Sequence, residues 1–234
     1  MKNLSVRNTL IISLGFIIAV WIYRIIRNTF YLDSVLDLFE SLPDVFLQAF
    51  ITAILVIVCV TFLLRLSKEK YTDIGFWKDK LSKQIGFGIL FGILIFIIDT
   101  FIISIILNSF LPETSAKGID MAKLFSNSGY VFIFLFIGIF KGGFSEELWR
   151  IFVLTRFERL FGKPGLIIAL ILSSVIFGIG HLYQGLSGLI SISIIGLMYA
   201  LVYLRKRSAL EAVFAHATEN IVSIILGYIV YSGS

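Results

Sequence analysis

Three short stretches of the chain hold side chains that can move protons, and each interrupts a run otherwise filled with Phe, Ile, Leu and Gly. "FSEELWR", Phe144 to Arg150, carries Glu146, Glu147 and Arg150; "FGIGH" ends in His181; "HATEN" carries His216, Glu219 and Asn220. The two histidines are the only ones in the protein. Asp99 stands alone in a third apolar region. An ionisable group at mid-bilayer costs about 2.5–3.5 kcal/mol on insertion scales, so such groups should face a protein interior or a watery cavity. Glu146 and Arg150 stand at i, i+4 with the acid first, the favourable order for an ion pair. Glu147, rotated about 100° from Glu146, can reach Arg150 at i+3. A self-satisfied pair would account for one glutamate and leave the other unexplained. One arginine does not neutralise two buried carboxylates, and the one left over is a candidate general base.

Phe177 and His181 are also i, i+4 neighbours, so ring and imidazole can pack together, and the glycines between them permit close helix approach. His216 and Asn220 share a helical face, with Glu219 at i+3 from His216. Taken singly, His181 reads as an interfacial residue near a span's end, and the third cluster as helix–helix glue. Together the clusters supply a base, two imidazoles and a carboxamide, the parts of a hydrolytic site.

The elements that must position these groups are membrane helices. The chain has 234 residues, of which 58% are hydrophobic and 15% charged. A soluble domain is nearer about 45–50% apolar and about 25% charged. The apolar residues gather into seven runs, near 9–27, 44–64, 85–111, 129–155, 165–182, 186–204 and 209–231, each able to cross a bilayer as a helix. The reading is a single all-α integral membrane domain over residues 1–234, a bundle of about seven spans with its cavity inside the membrane. The first apolar run is too long for a signal peptide and lacks a small-residue cleavage site, so it reads as a retained anchor. The lone Cys59 excludes an internal disulfide. The net charge of +5 is spread over short loops, as orientation in a membrane requires, and does not indicate nucleic acid.

Those loops give an orientation. The first holds Asp33, Asp37, Glu40 and Asp44, while the second holds Arg65, Lys68, Lys70, Lys78, Lys80 and Lys83. Arg156, Arg159 and Lys163 occupy the fourth, and Arg205, Lys206 and Arg207 the sixth. The alternation places the amino terminus and loops two, four and six in the cytoplasm and the carboxyl terminus outside. Arg24 and Arg27 break the pattern at the outer end of the first span, where they could snorkel. Residues 28–42 have apolar groups at helical spacing, suited to lying on the outer surface. An eighth crossing there would upset the charge alternation.

With its EE-x-x-R, F-x-x-x-H and H-x-x-x-N stretches in this order on successive spans, the sequence resembles the type II CAAX prenyl proteases and the bacteriocin-processing or self-immunity (Abi) proteins. The resemblance covers roughly residues 128–231. The family's first motif has three residues between the second glutamate and the arginine, and "EELWR" has two. Either Arg150 holds the register, which makes Glu146 the second glutamate and puts Ser145 in place of the first, or the arginine has moved by one. The i, i+4 geometry favours the first alignment, with Glu146 as base and Glu147 as second choice.

The resemblance implies a helical membrane bundle whose cavity opens to the cytosol, and an endopeptidase acting on a membrane-associated peptide or lipidated-protein substrate. The glutamate would activate water, His216 and Asn220 would stabilise the oxyanion, and His181 would orient water or leaving group. No cofactor is favoured. The metal alternative is zinc held by Glu146, His181 and His216 with one position open. Short loops and Lys/Ile-rich usage suggest a bacterial plasma membrane. Two rivals are a non-enzymatic immunity or scaffold protein using the same cavity and a proton-coupled transporter, although no internal symmetry between halves favours the latter. One tension is internal to this reading. Counted from the cytoplasmic span ends, Glu146 and His216 lie roughly 12–15 Å deep but His181 about 24 Å.

Overall fold

A computed structural model describes residues 6–31, 41–111 and 128–231. The expected surface helix falls mainly on residues 32–40, outside the described residues. Helices α1 (Val6–Phe30), α2 (Leu42–Leu66) and α3 (Leu81–Phe110) come first, with a 3₁₀ turn at Tyr71–Ile74 between α2 and α3. The helical run Ser128–Ile179 follows. It is interrupted at Gly162, whose φ of 65° and ψ of −152° suit a residue without Cβ. Pro164 lies just beyond, placed to restart a helix rather than continue one. The run is therefore two rods, α4 (128–161) and α5 (163–179). A 3₁₀ turn at Leu182–Gln184 leads to α6 (Gly185–Lys206), and α7 (Ala209–Tyr231) completes the bundle.

Among the described residues six helices are long and apolar enough to cross a membrane, and dividing the longest at Gly162 gives seven rods in the places the apolar runs mark. The protein is an all-α integral membrane bundle. Its outer surfaces carry the side chains lipid would solvate, such as Phe62, Phe101, Phe132 and Ile171, each more than half exposed. The buried core gathers around α4, with Leu148, Ile151, Phe152 and Leu154 fully enclosed by α1, α2, α5 and α6.

Helix α7, which carries "HATEN", is held by glycines on two sides. Gly88 and Gly92, a G-x-x-x-G pair on α3, lie against it so closely that a Cβ at Gly92 would stand 2.5 Å from the Ala215 carbonyl oxygen. On the other side a Cβ at Gly143 would stand 2.7 Å from that of Ala217. Small residues at such crossings let backbones approach where lipid offers no hydrophobic driving force. This grip fixes the height of His216 and Asn220 against α4.

The loops after α2, α4 and α6 meet at one end of the bundle. Glu69 pairs with Arg156 and Arg159, and Arg207 makes a two-pronged contact with Glu158 at 2.6 Å on both nitrogens. The Ala209 amide donates to the Gly75 carbonyl at 3.0 Å, and the Ser208 hydroxyl donates to Gln84 at 2.6 Å. These ties close the basic end.

Candidate active site

Residues Gly138–Glu146 of α4 wind as a π-helix, which widens each turn by about one residue and is frequent at functional sites. The widened turn changes which groups meet. Lys141 reaches Glu146, five positions on, at 2.7 Å, and Arg24 of α1 reaches the same carboxylate oxygen at 3.4 Å. Glu147 turns the other way. It is fully buried, accepts from Arg150 Nε at 3.1 and 3.2 Å, and accepts from His216 Nδ1 at 2.9 Å.

This corrects the expected pairing. Arg150 serves Glu147 at i+3, and Glu146 does not depend on it. The idea that one glutamate would be left without a cation also fails, because Lys141 and Arg24 supply the missing charges. Arg24 lines the cavity rather than snorkelling to the surface. Lys141, which the motif spacing does not include, carries its own signal in the sequence as an ionisable group inside an apolar run.

Arg150 is nearly buried and clamped on three sides. Besides Glu147, its Nη1 donates to the Gly196 carbonyl at 3.0 Å, and its guanidinium lies 4.4 Å from the Phe177 ring centroid. Gly196 is required there, since a Cβ would come within 2.8 Å of Phe177 and 3.0 Å of Arg150. Phe177 also meets both imidazoles edge-on, His181 at 4.9 Å and His216 at 5.7 Å between centroids. One phenyl ring thus ties the three motifs together.

Both histidines are oriented through Nδ1. His181 Nδ1 donates to the Phe177 carbonyl at 3.0 Å, as His216 Nδ1 does to Glu147. A donor bond at one ring nitrogen fixes the tautomer and leaves the other for chemistry. His216 Nε2 faces Gly142, where a Cβ would stand 3.4 Å from it and 2.5 Å from the Asn220 amide nitrogen. Asn220 Nδ2 donates to the Gly138 carbonyl at 3.0 Å, so the π-helix also holds the carboxamide. The depth difference between Glu146 and His181 dissolves because α4 runs on past residue 155 to the Gly162 break. Counted from that break and Pro164, Glu146 and His181 are both roughly 25 Å along their rods.

Glu146, His181, His216 and Asn220 line a single cavity of about 830 Å³, within the range of small-ligand and cofactor pockets. Glu147 and Arg150 lie behind its wall. Tyr199, absent from the motif reading, stacks on His216 at 4.3 Å and donates to Glu219 at 3.0 Å. Glu219 also accepts from Ser223 at 2.8 Å, and Asp99 accepts from Ser191 across the cavity rim. These two carboxylates are thus tied to hydroxyl donors, and Glu219 turns toward Tyr199. Among the described residues no group of three His, Cys, Asp or Glu side chains is placed to hold a metal ion.

No curated protein and no solved structure matches the chain. A family model does, over residues 127–222, under the description "Type II CAAX prenyl endopeptidase Rce1-like". The match runs from the start of α4 into α7 and leaves α1 to α3 outside it, so Arg24, which pairs with Glu146, is contributed from outside the matched segment. Over the segment that carries Glu146, Glu147, Arg150, His181, His216 and Asn220, the chain is therefore similar to the Rce1-like type II CAAX prenyl endopeptidases, a family of proteases.

Proposed function

We propose that the protein is an intramembrane endopeptidase that hydrolyses a peptide bond of a membrane-associated substrate with water activated by Glu146. The observation that carries this reading is the cavity shared by Glu146, His181, His216 and Asn220, drawn from three separate helical motifs. Glu146 takes a proton from water, and the water oxygen attacks the scissile carbonyl carbon. The developing oxyanion accepts from the second N–H of the Asn220 amide and, with the His216 ring protonated on both nitrogens beside the Glu147 carboxylate, from His216 Nε2–H; Gly138 and Glu147 hold these groups before substrate arrives. The proton on Glu146 then passes to the leaving amine nitrogen as the C–N bond breaks, with His181 positioned beside that path. Glu147 and Arg150 act through His216 and are positioning residues.

Chelation separates this mechanism from zinc hydrolysis by the same side chains. Purified protein is expected to keep its cleavage activity in a strong chelator and to carry no stoichiometric zinc. One equivalent of zinc per chain, whose removal and return switch cleavage off and on, contradicts the glutamate mechanism.

A further inference from the structure

The cavity and the basic loops occupy opposite ends of the bundle. From His216 and Tyr199 at its floor the cavity runs past Arg24 and Asn28 near the end of α1, Gln48 near the start of α2, Asn108 near the end of α3 and Ser187 after the Leu182–Gln184 turn. All of these lie toward the end that α1 reaches. The opposite end is closed by the contacts joining Glu69, Arg156 and Arg159 and joining Glu158 to Arg207, and no residue of those loops lines the cavity. That closed end bears Lys68, Lys70, Lys78, Lys80, Arg205 and Lys206, the charges that short loops keep in the cytoplasm. Arg24 and Arg27, the two exceptions to the charge rule, both line the cavity, where Arg24 pairs with Glu146, and neither is a loop charge.

We infer that the cavity opens to the extracytoplasmic side of the membrane, opposite to the cytosolic opening that the family resemblance implies. The charge rule and a cytosolic mouth are incompatible in this bundle. The charge rule rests on this chain's own residues at three loops that pack together. For the endopeptidase reading, on which this consequence rests, the substrate is then a peptide segment at the outer surface, such as the membrane-proximal part of an exported or anchored polypeptide. A lipidated tail presented from the cytosol does not reach the site. The cations Arg24 and Lys141 would lie between the mouth and the water-activating carboxylate, so an anionic group on the entering peptide would find partners there.

Thiol labelling tests the opening without needing catalysis. In a Cys59→Ala background, single cysteines replace Asn108 and Ser187, at the mouth and on the wall, and Lys78, exposed at the basic end. A membrane-impermeant maleimide should label Asn108→Cys and Ser187→Cys in intact cells, and Lys78→Cys only after the cytoplasmic face is opened. The reverse pattern overturns the inference, and so does labelling of all three from one side. Labelling of Asn108→Cys but not Ser187→Cys from outside means the cavity is shut on that side, and overturns it too. Each outcome stands whether or not the protein cleaves peptides, so this failure is distinct from failure of the endopeptidase reading.

Discussion

Replacing Glu146 by Gln lowers the cleavage rate by about 10²- to 10⁴-fold, the usual contribution of a positioned general base, while the protein accumulates normally in the membrane. The amide oxygen still accepts from Lys141 and Arg24, both of which keep contact with the cavity, so the fold loses little. What the enzyme loses is the basic carboxylate oxygen that takes the proton from water. Glu147→Gln tests the division of labour between the two glutamates. It should disturb His216 and Arg150 rather than remove the base. Turnover retained in Glu146→Gln and lost in Glu147→Gln, at equal protein levels, would exchange the two roles.

The second large effect is on the fold. Arg150→Ala leaves the Glu147 carboxylate buried beside His216 with its main cation gone, and it empties the space between Phe177 and the Gly196 carbonyl. Breaking a buried pair by removing one partner costs about 3–5 kcal/mol, against a total stability of about 5–15 kcal/mol for typical domains. Membrane accumulation and the thermal midpoint of the solubilised protein should both fall sharply. Arg150→Lys keeps a charge but not the planar fork that reaches Glu147 and Gly196 together, so it should restore accumulation only in part. Normal accumulation and normal cleavage in Arg150→Ala would show that the pair carries no structural burden.

The seven rods were legible because a hydrocarbon run of helical length is the strongest signal a sequence carries, and "GKP" at 162–164 marks the break between α4 and α5. The three motifs were legible for the same reason in reverse, as polar groups in the wrong solvent. Their partners were not. Arg24 meets Glu146 across 122 residues of chain, a contact that depends on how α1 packs against α4 and leaves no local trace. The i, i+4 argument for Glu146 and Arg150 assumed a regular α-helix, and the π-helix at Gly138–Glu146 widens the turns on which that spacing depends. Gly138, Gly142 and Gly143 hint at the close approach of α7, but glycine spacing alone does not announce a π-helix. The inferred side of the opening depends on which loops share an end of the bundle, and no local pattern in the sequence carries that.

The most direct test of the central claim is hydrolysis itself, followed in ¹⁸O water. Reconstituted wild-type protein and Glu146→Gln are incubated with detergent-extracted membrane polypeptides, and new carboxyl termini are read by mass spectrometry. Water attack on a peptide carbonyl places the heavy oxygen in the new carboxylate. The account predicts ¹⁸O-labelled termini with the wild type that are absent with Glu146→Gln. Correctly folded wild type that yields no labelled termini, or identical sets from both proteins, would contradict it.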